Sequence, residues 1–468
     1  MVLSSSAYFI FLVGVFFLYW PVARFRALAL AVILFANYFF YAKWDLFYLF
    51  LIPAASSCDF LIALGLQHGK AKWLRRTLVS LSVLLNLGIL ASFKYMPFFL
   101  ENYSRLSGRD APEWHWIFPL GISFYAFQSL TYTIDVYRRD AKATTSYLAY
   151  LASVSFFPTT LAGPITRVAT LIPQFEKKDK ALSSADGGRA LFLIALGLTK
   201  KLLVADYLAD NLVNRVFDLP KLYTGAETLI AVYAYALQLY YDFSGYTDIA
   251  IGSALLLAIK LPPNFNMPYA AENIADFWRR WHISLSNWLR DYLYFSLPGL
   301  RSKWKVFTYS NLILTMLLGG LWHGASWNFV IWGLLHGVGL AATRAWQTIW
   351  GGTKVEGGWR KIVRIFFTVN YVCFAWIFFR CPTLDAALSV LGRIGSLTIS
   401  FENISAPVAM VLAIAVVAHY FPLKWQGWVV DRFAATPFYA QAVALMLLAV
   451  ALQYVAASGV APFIYTKF

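Results

Sequence analysis

Long apolar runs alternate with short basic loops along most of this chain, a pattern that predicts membrane-crossing helices. The runs lie at 7–20, 27–41, 46–66, 78–93, 117–133, 147–161, 190–204, 229–241, 249–261, 306–318, 327–342, 362–379, 407–421 and 439–455. Several are shorter than the ~20 residues that cross a typical bilayer, so some are re-entrant or broken, and roughly eleven to thirteen crossings are expected. The period-two alternation of a membrane barrel strand is absent. The fold class is therefore all-α and polytopic. No repeat or long linker divides residues 1–468, which read as one integral membrane domain. The polar stretch from Gly351 to Gly358 reads as a hinge-like loop between a core, about residues 1–380, and C-terminal helices at about 381–468 that pack beside it.

Composition agrees with the pattern. Hydrophobic residues make up 60% of the chain and charged ones 13%, against the roughly 25% of a soluble protein. The net charge of +16 would suggest nucleic acid in a soluble protein, but here it sits in short loops. The excess of positive charge in cytoplasmic loops explains it, and no nucleic-acid partner is expected. Arg24 with Arg26, then Lys70 through Arg76, then Arg138 through Lys142 fall in alternate loops. They put those loops on the cytoplasmic side and the N-terminus outside. The stretch 94–116 between the last two reads as a loop of mixed charge, and the basic clusters at 177–180, 279–305 and 344–364 also belong near the cytoplasmic face. The N-terminal apolar run lacks a basic leader and reads as a retained helix. Cys58, Cys373 and Cys381 fit no zinc motif, and no metal site is expected; Cys58 and Cys373 read as small core residues.

Candidate chemistry centres on two histidines in apolar, aromatic surroundings. His282 lies in Asp276-Phe-Trp-Arg-Arg-Trp-His-Ile-Ser-Leu-Ser-Asn-Trp-Leu-Arg-Asp291. Trp278, Trp281, Leu285 and Trp288 recur at spacings of three, four and three, which predicts one amphipathic helix with an aromatic face. His282 there serves either chemistry or a helix that anchors at the membrane interface. His323 follows Gly319-Gly-Leu-Trp, and its surroundings suit either a site or a core histidine bonded across helices. An ionisable group at membrane depth is costly and is a functional hypothesis by default. His336, placed on the same helix as His323, would point more than a right angle away and reads as structural. His68 and His115 read as loop residues, and His419, near a helix end beside Tyr420, has no company that suggests chemistry. Asp242 and Asp248, in Tyr240-Tyr-Asp-Phe-Ser-Gly-Tyr-Thr-Asp248, read either as a polar tunnel wall or as structural carboxylates that cap a broken helix or pair with an Arg. The prolines of Leu261-Pro-Pro-Asn-Phe-Asn-Met-Pro268 make an irregular connection. There is no glycine-rich phosphate loop and no nucleophile elbow.

Phe277-Trp-Arg-Arg-Trp-His-Ile-Ser-Leu-Ser-Asn-Trp-Leu-Arg-Asp-Tyr-Leu-Tyr294 and Gly320-Leu-Trp-His-Gly-Ala-Ser-Trp327 resemble the two signature segments of the membrane-bound O-acyltransferase family. Supporting matches are Gly121-Ile-Ser-Phe-Tyr-Ala-Phe-Gln128, Ile134-Asp-Val-Tyr-Arg138, Ala162-Gly-Pro-Ile-Thr-Arg167, Tyr241-Asp-Phe-Ser-Gly-Tyr-Thr-Asp248 and Ala461-Pro-Phe-Ile-Tyr465. The likeness is strongest to the bacterial branch of alginate O-acetyltransferases and teichoic acid D-alanine transferases. It implies a helical fold around a central funnel or tunnel, multi-pass in the bacterial inner membrane, with His323 near its centre. His323 is then the expected catalytic base and His282 its assistant. Arg279, Arg280, Trp322, Asp242, Asp248 and Asn287 are candidate substrate or donor contacts, and Arg301, Lys303 and Lys305 add to the charge that would draw a phosphate-bearing donor. The resemblance implies no bound cofactor, with acetyl-CoA or another acyl thioester as donor substrate. Membrane lipids, an extracytoplasmic acetyltransferase partner and polysaccharide export machinery are the other implied partners. The competing class is a proton-coupled transporter or flippase, but paired halves with matching broken helices are not evident.

Overall fold

The structure, a computed structural model, describes residues 3–42, 48–114, 121–161, 163–299, 304–351 and 358–455. Among these residues the regular structure is helical, with no strand. The helices Leu49–His68, Lys72–Ser107 and Trp359–Arg380 are long and apolar enough to cross a membrane, and the bent pair Ala406–His419 and Lys424–Ala435 passes the same test together. The chain forms two compact units of discontinuous segments. One takes Met1–Ile194, Tyr246–Pro262 and Phe433–Ala435, and the other Ala195–Gly245, Pro263–Arg432 and Thr436–Phe468.

In the first unit a carboxylate is buried inside an apolar span and fully provided with donors. Asp59 accepts from Ser82 Oγ at 2.6 Å, Asn86 Nδ2 at 2.9 Å and Ser129 Oγ at 2.6 Å. Hydroxyls and an amide on neighbouring helices thus replace the water that the charge would otherwise need. Here the structure departs from the expected loop at 94–116. The helix Lys72–Leu90 continues through a wider π turn at Ala91–Tyr95 into Met96–Ser107. The expected run 147–161 is broken into Tyr147–Val154 and Phe157–Thr160, with Pro158 in the first turn of the second piece. Cys58 is exposed and is not a core residue, whereas Cys373 and Cys381 are buried. His68 ends a helix instead of lying in a loop, and His115 falls outside the described residues.

The second unit carries both signature segments. The two runs expected at 229–241 and 249–261 are instead a single 32-residue helix, Gly225–Leu256, that passes into the first unit at Tyr246. No break is needed at Asp242 because Lys201 neutralises it at 2.8 Å. Gly245 lets the segment carrying Lys201 come close; a side chain there would stand 2.7 Å from Gly197 O. The helices Lys305–His323 and Trp327–Trp350 meet through glycines in the same way. A Cβ on Gly320 would lie 2.2 Å from Phe329 O, and one on Gly333 2.4 Å from Met316 O. Such small-residue seams allow backbones to approach without a side chain between them.

Candidate active site

His282 does not sit on one continuous aromatic helix. The chain forms Ile274–Arg280, breaks, and restarts as Ile283–Trp288, with His282 between them at φ 42°, ψ 55°. That left-handed backbone is rare for a residue with a side chain, although histidine and asparagine are enriched in it. The proline-rich stretch before it holds the kink. Asn266 N donates to Arg280 O at 2.9 Å, and Ile283 N donates to Asn264 O at 2.9 Å. Trp278, Trp281, Leu285 and Trp288 are all buried, so the segment is a core element and not an interfacial anchor.

Asn264 also sets the histidine's chemistry. Its Oδ1 accepts from Ser284 Oγ at 2.6 Å and from Ser284 N at 3.3 Å. An oxygen so placed is an acceptor, so His282 Nδ1, 3.3 Å away, carries the proton toward it. Nε2 is then the basic nitrogen of a neutral ring. Burial pushes the pKa of this imidazole down to about 3. The edge of Phe243 meets the ring at 4.6 Å and 88°.

His323 is the last residue of Lys305–His323. Gly324 follows because Phe329 fills the space where a side chain would stand, 2.1 Å from an ideal Cβ. The imidazole lies among Trp322 at 4.9 Å, Trp332 at 5.0 Å and Phe379 at 5.3 Å. Trp322 is common to both histidines, with its centroid 6.4 Å from His282. The two signature segments therefore meet across one indole.

His336 is closer to this centre than its sequence position suggested. The turn at 324–326 puts it on a different helix from His323, and Trp332 touches both, at 5.0 Å and 4.8 Å. Trp278 Nε1 donates to His336 Nδ1 at 3.2 Å. His419 also has partners the sequence did not reveal. It packs on Tyr240 at 4.7 Å and accepts from Tyr269 N at 3.2 Å. Tyr240 and Phe243 both touch Phe265, so an aromatic seam runs from His419 past His282 and His323 to His336.

The other candidates divide. Trp322 joins the histidines. Asp242 does not face them; Lys201 Nζ lies 2.8 Å from both Asp242 and Asp206. Asp248 belongs to the first unit and is half-buried, and Asn287 is exposed. Arg279 and Arg280 pair with Asp276 at 3.4 Å and 3.0 Å and line a cavity of about 780 Å3 with Glu272, Arg364 and Trp346. Neither His282 nor His323 lines it. Lys305 is exposed at a helix start, whereas Arg301 and Lys303 lie outside the described residues. Asn264 and Lys201 are weakly marked in the sequence. The only signals were an amide between Pro263 and Phe265 and a lysine within an apolar run.

The chain matches the membrane-bound O-acyltransferase family over residues 66–382. The chain belongs to that family. It is similar to the peptidoglycan O-acetyltransferase of Helicobacter pylori, 37% identical over 396 residues, which covers 79% of this chain and 74% of the relative. It is 38% identical over 462 residues to a probable alginate O-acetylase of Azotobacter vinelandii, covering 94% of this chain and 86% of the relative. A teichoic acid D-alanyltransferase of Bacillus subtilis is 30% identical over 275 residues, covering 56% and 68%. The acyltransferase assignment agrees with the reading of both signature segments, and the bundle of apolar helices agrees with a membrane-bound enzyme.

Proposed function

We propose that this acyltransferase moves an acetyl group from a cytoplasmic thioester, acetyl-CoA or a related donor, toward a hydroxyl of an exported polysaccharide. The observation that carries the reading is Trp322, whose ring meets both signature histidines. The O-acetylase names of relatives aligned over most of the chain support the acetyl group. In the transfer, the acceptor oxygen attacks the thioester carbonyl carbon while His323 takes its proton. The C–S bond then breaks and the thiolate leaves, receiving a proton in turn. His282 acts beside it as a neutral hydrogen-bonding group, its Nδ1 proton directed to Asn264 Oδ1. The protein works as a multi-pass inner-membrane enzyme around a central tunnel, with an extracytoplasmic partner and export machinery completing delivery. Arg279 and Arg280 receive the donor's phosphates at the cavity they line.

Membranes containing the protein and its partners, given an acetyl-labelled thioester, should release thiol and label the polymer. Export of an unlabelled sugar product with no thioester consumed would favour the transporter class and remove the enzyme reading.

A further inference from the structure

Beside the donor cavity lies a second cavity of different character. It measures about 450 Å3, within the roughly 300–1,000 Å3 of small-molecule sites. Leu289, Leu312, Met316 and Leu340 supply apolar walls. Among the described residues no carboxylate lines it, yet Arg279, Arg290 and Arg344 do. Two of these cations are already matched, Arg279 by Asp276 and Arg290 by Asp291 at 2.7 Å. Arg344 is exposed and makes no ion pair with any described residue. An apolar recess with a surplus guanidinium at its rim suits a ligand with a hydrocarbon body and an anionic head. The flanking surface is aromatic and exposed. Phe295 lines the cavity and is 57% exposed, and Trp304, one turn before the lining residue Thr308, is 73% exposed. Tryptophan rings are enriched at the headgroup level of a bilayer.

We infer that this recess binds an anionic phospholipid, with an acyl chain against the leucines and the phosphate at Arg344. The inference rests on the membrane-bound character of the family and is independent of the acyl-transfer chemistry. The cytoplasmic leaflet is rich in anionic lipid, and basic pockets between membrane helices are a recurrent place for such headgroups. The neighbouring 780 Å3 cavity differs in carrying Glu272 and Asp276 among its arginines, a lining suited to a polar donor instead.

The test is direct binding to the purified full-length protein in zwitterionic nanodiscs, read by native mass spectrometry and by thermal shift. Phosphatidylglycerol should bind in preference to phosphatidylcholine, and neither inorganic phosphate nor acetyl-CoA should displace it. Arg344→Gln should weaken phosphatidylglycerol binding about five-fold. Arg360→Gln, which removes an exposed charge elsewhere, should leave it unchanged. Equal binding of both lipids to the wild-type protein would overturn the inference, even if a variant failed to fold. So would displacement by acetyl-CoA, which would make the recess part of the donor site, or an Arg360→Gln effect as large as that of Arg344→Gln, which would reveal nonspecific attraction.

Discussion

Removing Lys201 should damage the protein far more than removing the acid it holds. Lys201, Asp206 and Asp242 are all buried, and the ammonium lies 2.8 Å from each carboxylate. Asp206 Oδ2 has no further hydrogen-bond partner among the described residues. One cation against two carboxylates leaves an excess negative charge when both acids are ionised. Lys201→Met would leave two adjacent buried carboxylates, so its cost should reach the upper part of the ~3–5 kcal/mol measured for breaking buried pairs. Asp206→Asn leaves a matched pair and should cost under about 1.5 kcal/mol, the size of one hydrogen bond. The triple change to Met, Asn and Asn should recover most of the loss, because a neutral replacement of a buried ion cluster is often tolerated. At about 2 °C or less per kcal/mol for a chain of this length, Lys201→Met should lower the melting midpoint by about 5–10 °C. The assay is thermal unfolding of detergent-purified variants at one scan rate, with the aggregated fraction followed by size exclusion. Activity should follow stability, because Asp242 precedes Phe243, the ring set against His282. The reasoning would be refuted if Asp206→Asn cost as much as Lys201→Met, or if the triple change were worse than the lysine change alone.

Three further outcomes follow from local geometry. Gly320→Ala should cost about 1–3 kcal/mol by overpacking and reduce transfer by displacing His323, whereas Gly392→Ala, with open space around it, should be neutral or slightly stabilising in the same melts. His282→Asn should retain more activity than His282→Ala, because asparagine accepts the left-handed backbone and keeps a donor for Asn264, while alanine is less tolerant of that backbone and keeps no donor; steady-state rates with matched protein levels decide this. Arg279→Glu with Arg280→Glu should raise the donor KM about ten-fold or more with kcat nearly kept, and an unchanged KM in well-inserted protein would remove the donor role.

Much of the helical layout was legible because long apolar runs and flanking charge survive folding unchanged. The boundaries failed where a tertiary partner overrode a local signal. The spacing of Trp278, Trp281, Leu285 and Trp288 imitates a helical face, but hydrogen bonds from the segment around Asn264 hold a kink at His282. Asp242 reads from the sequence as a tunnel wall, a cap on a broken helix or an Arg partner, because Lys201, 41 residues earlier by 242 − 201, is not recognisable as its partner. His336 reads as remote from His323 if both lie on one helix, whereas the turn after Gly324 folds Trp332 back between them. The two signature histidines were visible as costly groups in apolar surroundings. Their common neighbour, Trp322, and the tautomer imposed by Asn264 depend on packing that no spacing encodes.

The most direct measurement is acetyl transfer by His323→Ala in reconstituted membranes, with expression, insertion and size-exclusion profile matched to wild type. A base at His323 predicts that turnover falls by about 10²–10⁴-fold while donor binding persists. Near-normal turnover by a correctly inserted His323→Ala protein would contradict it.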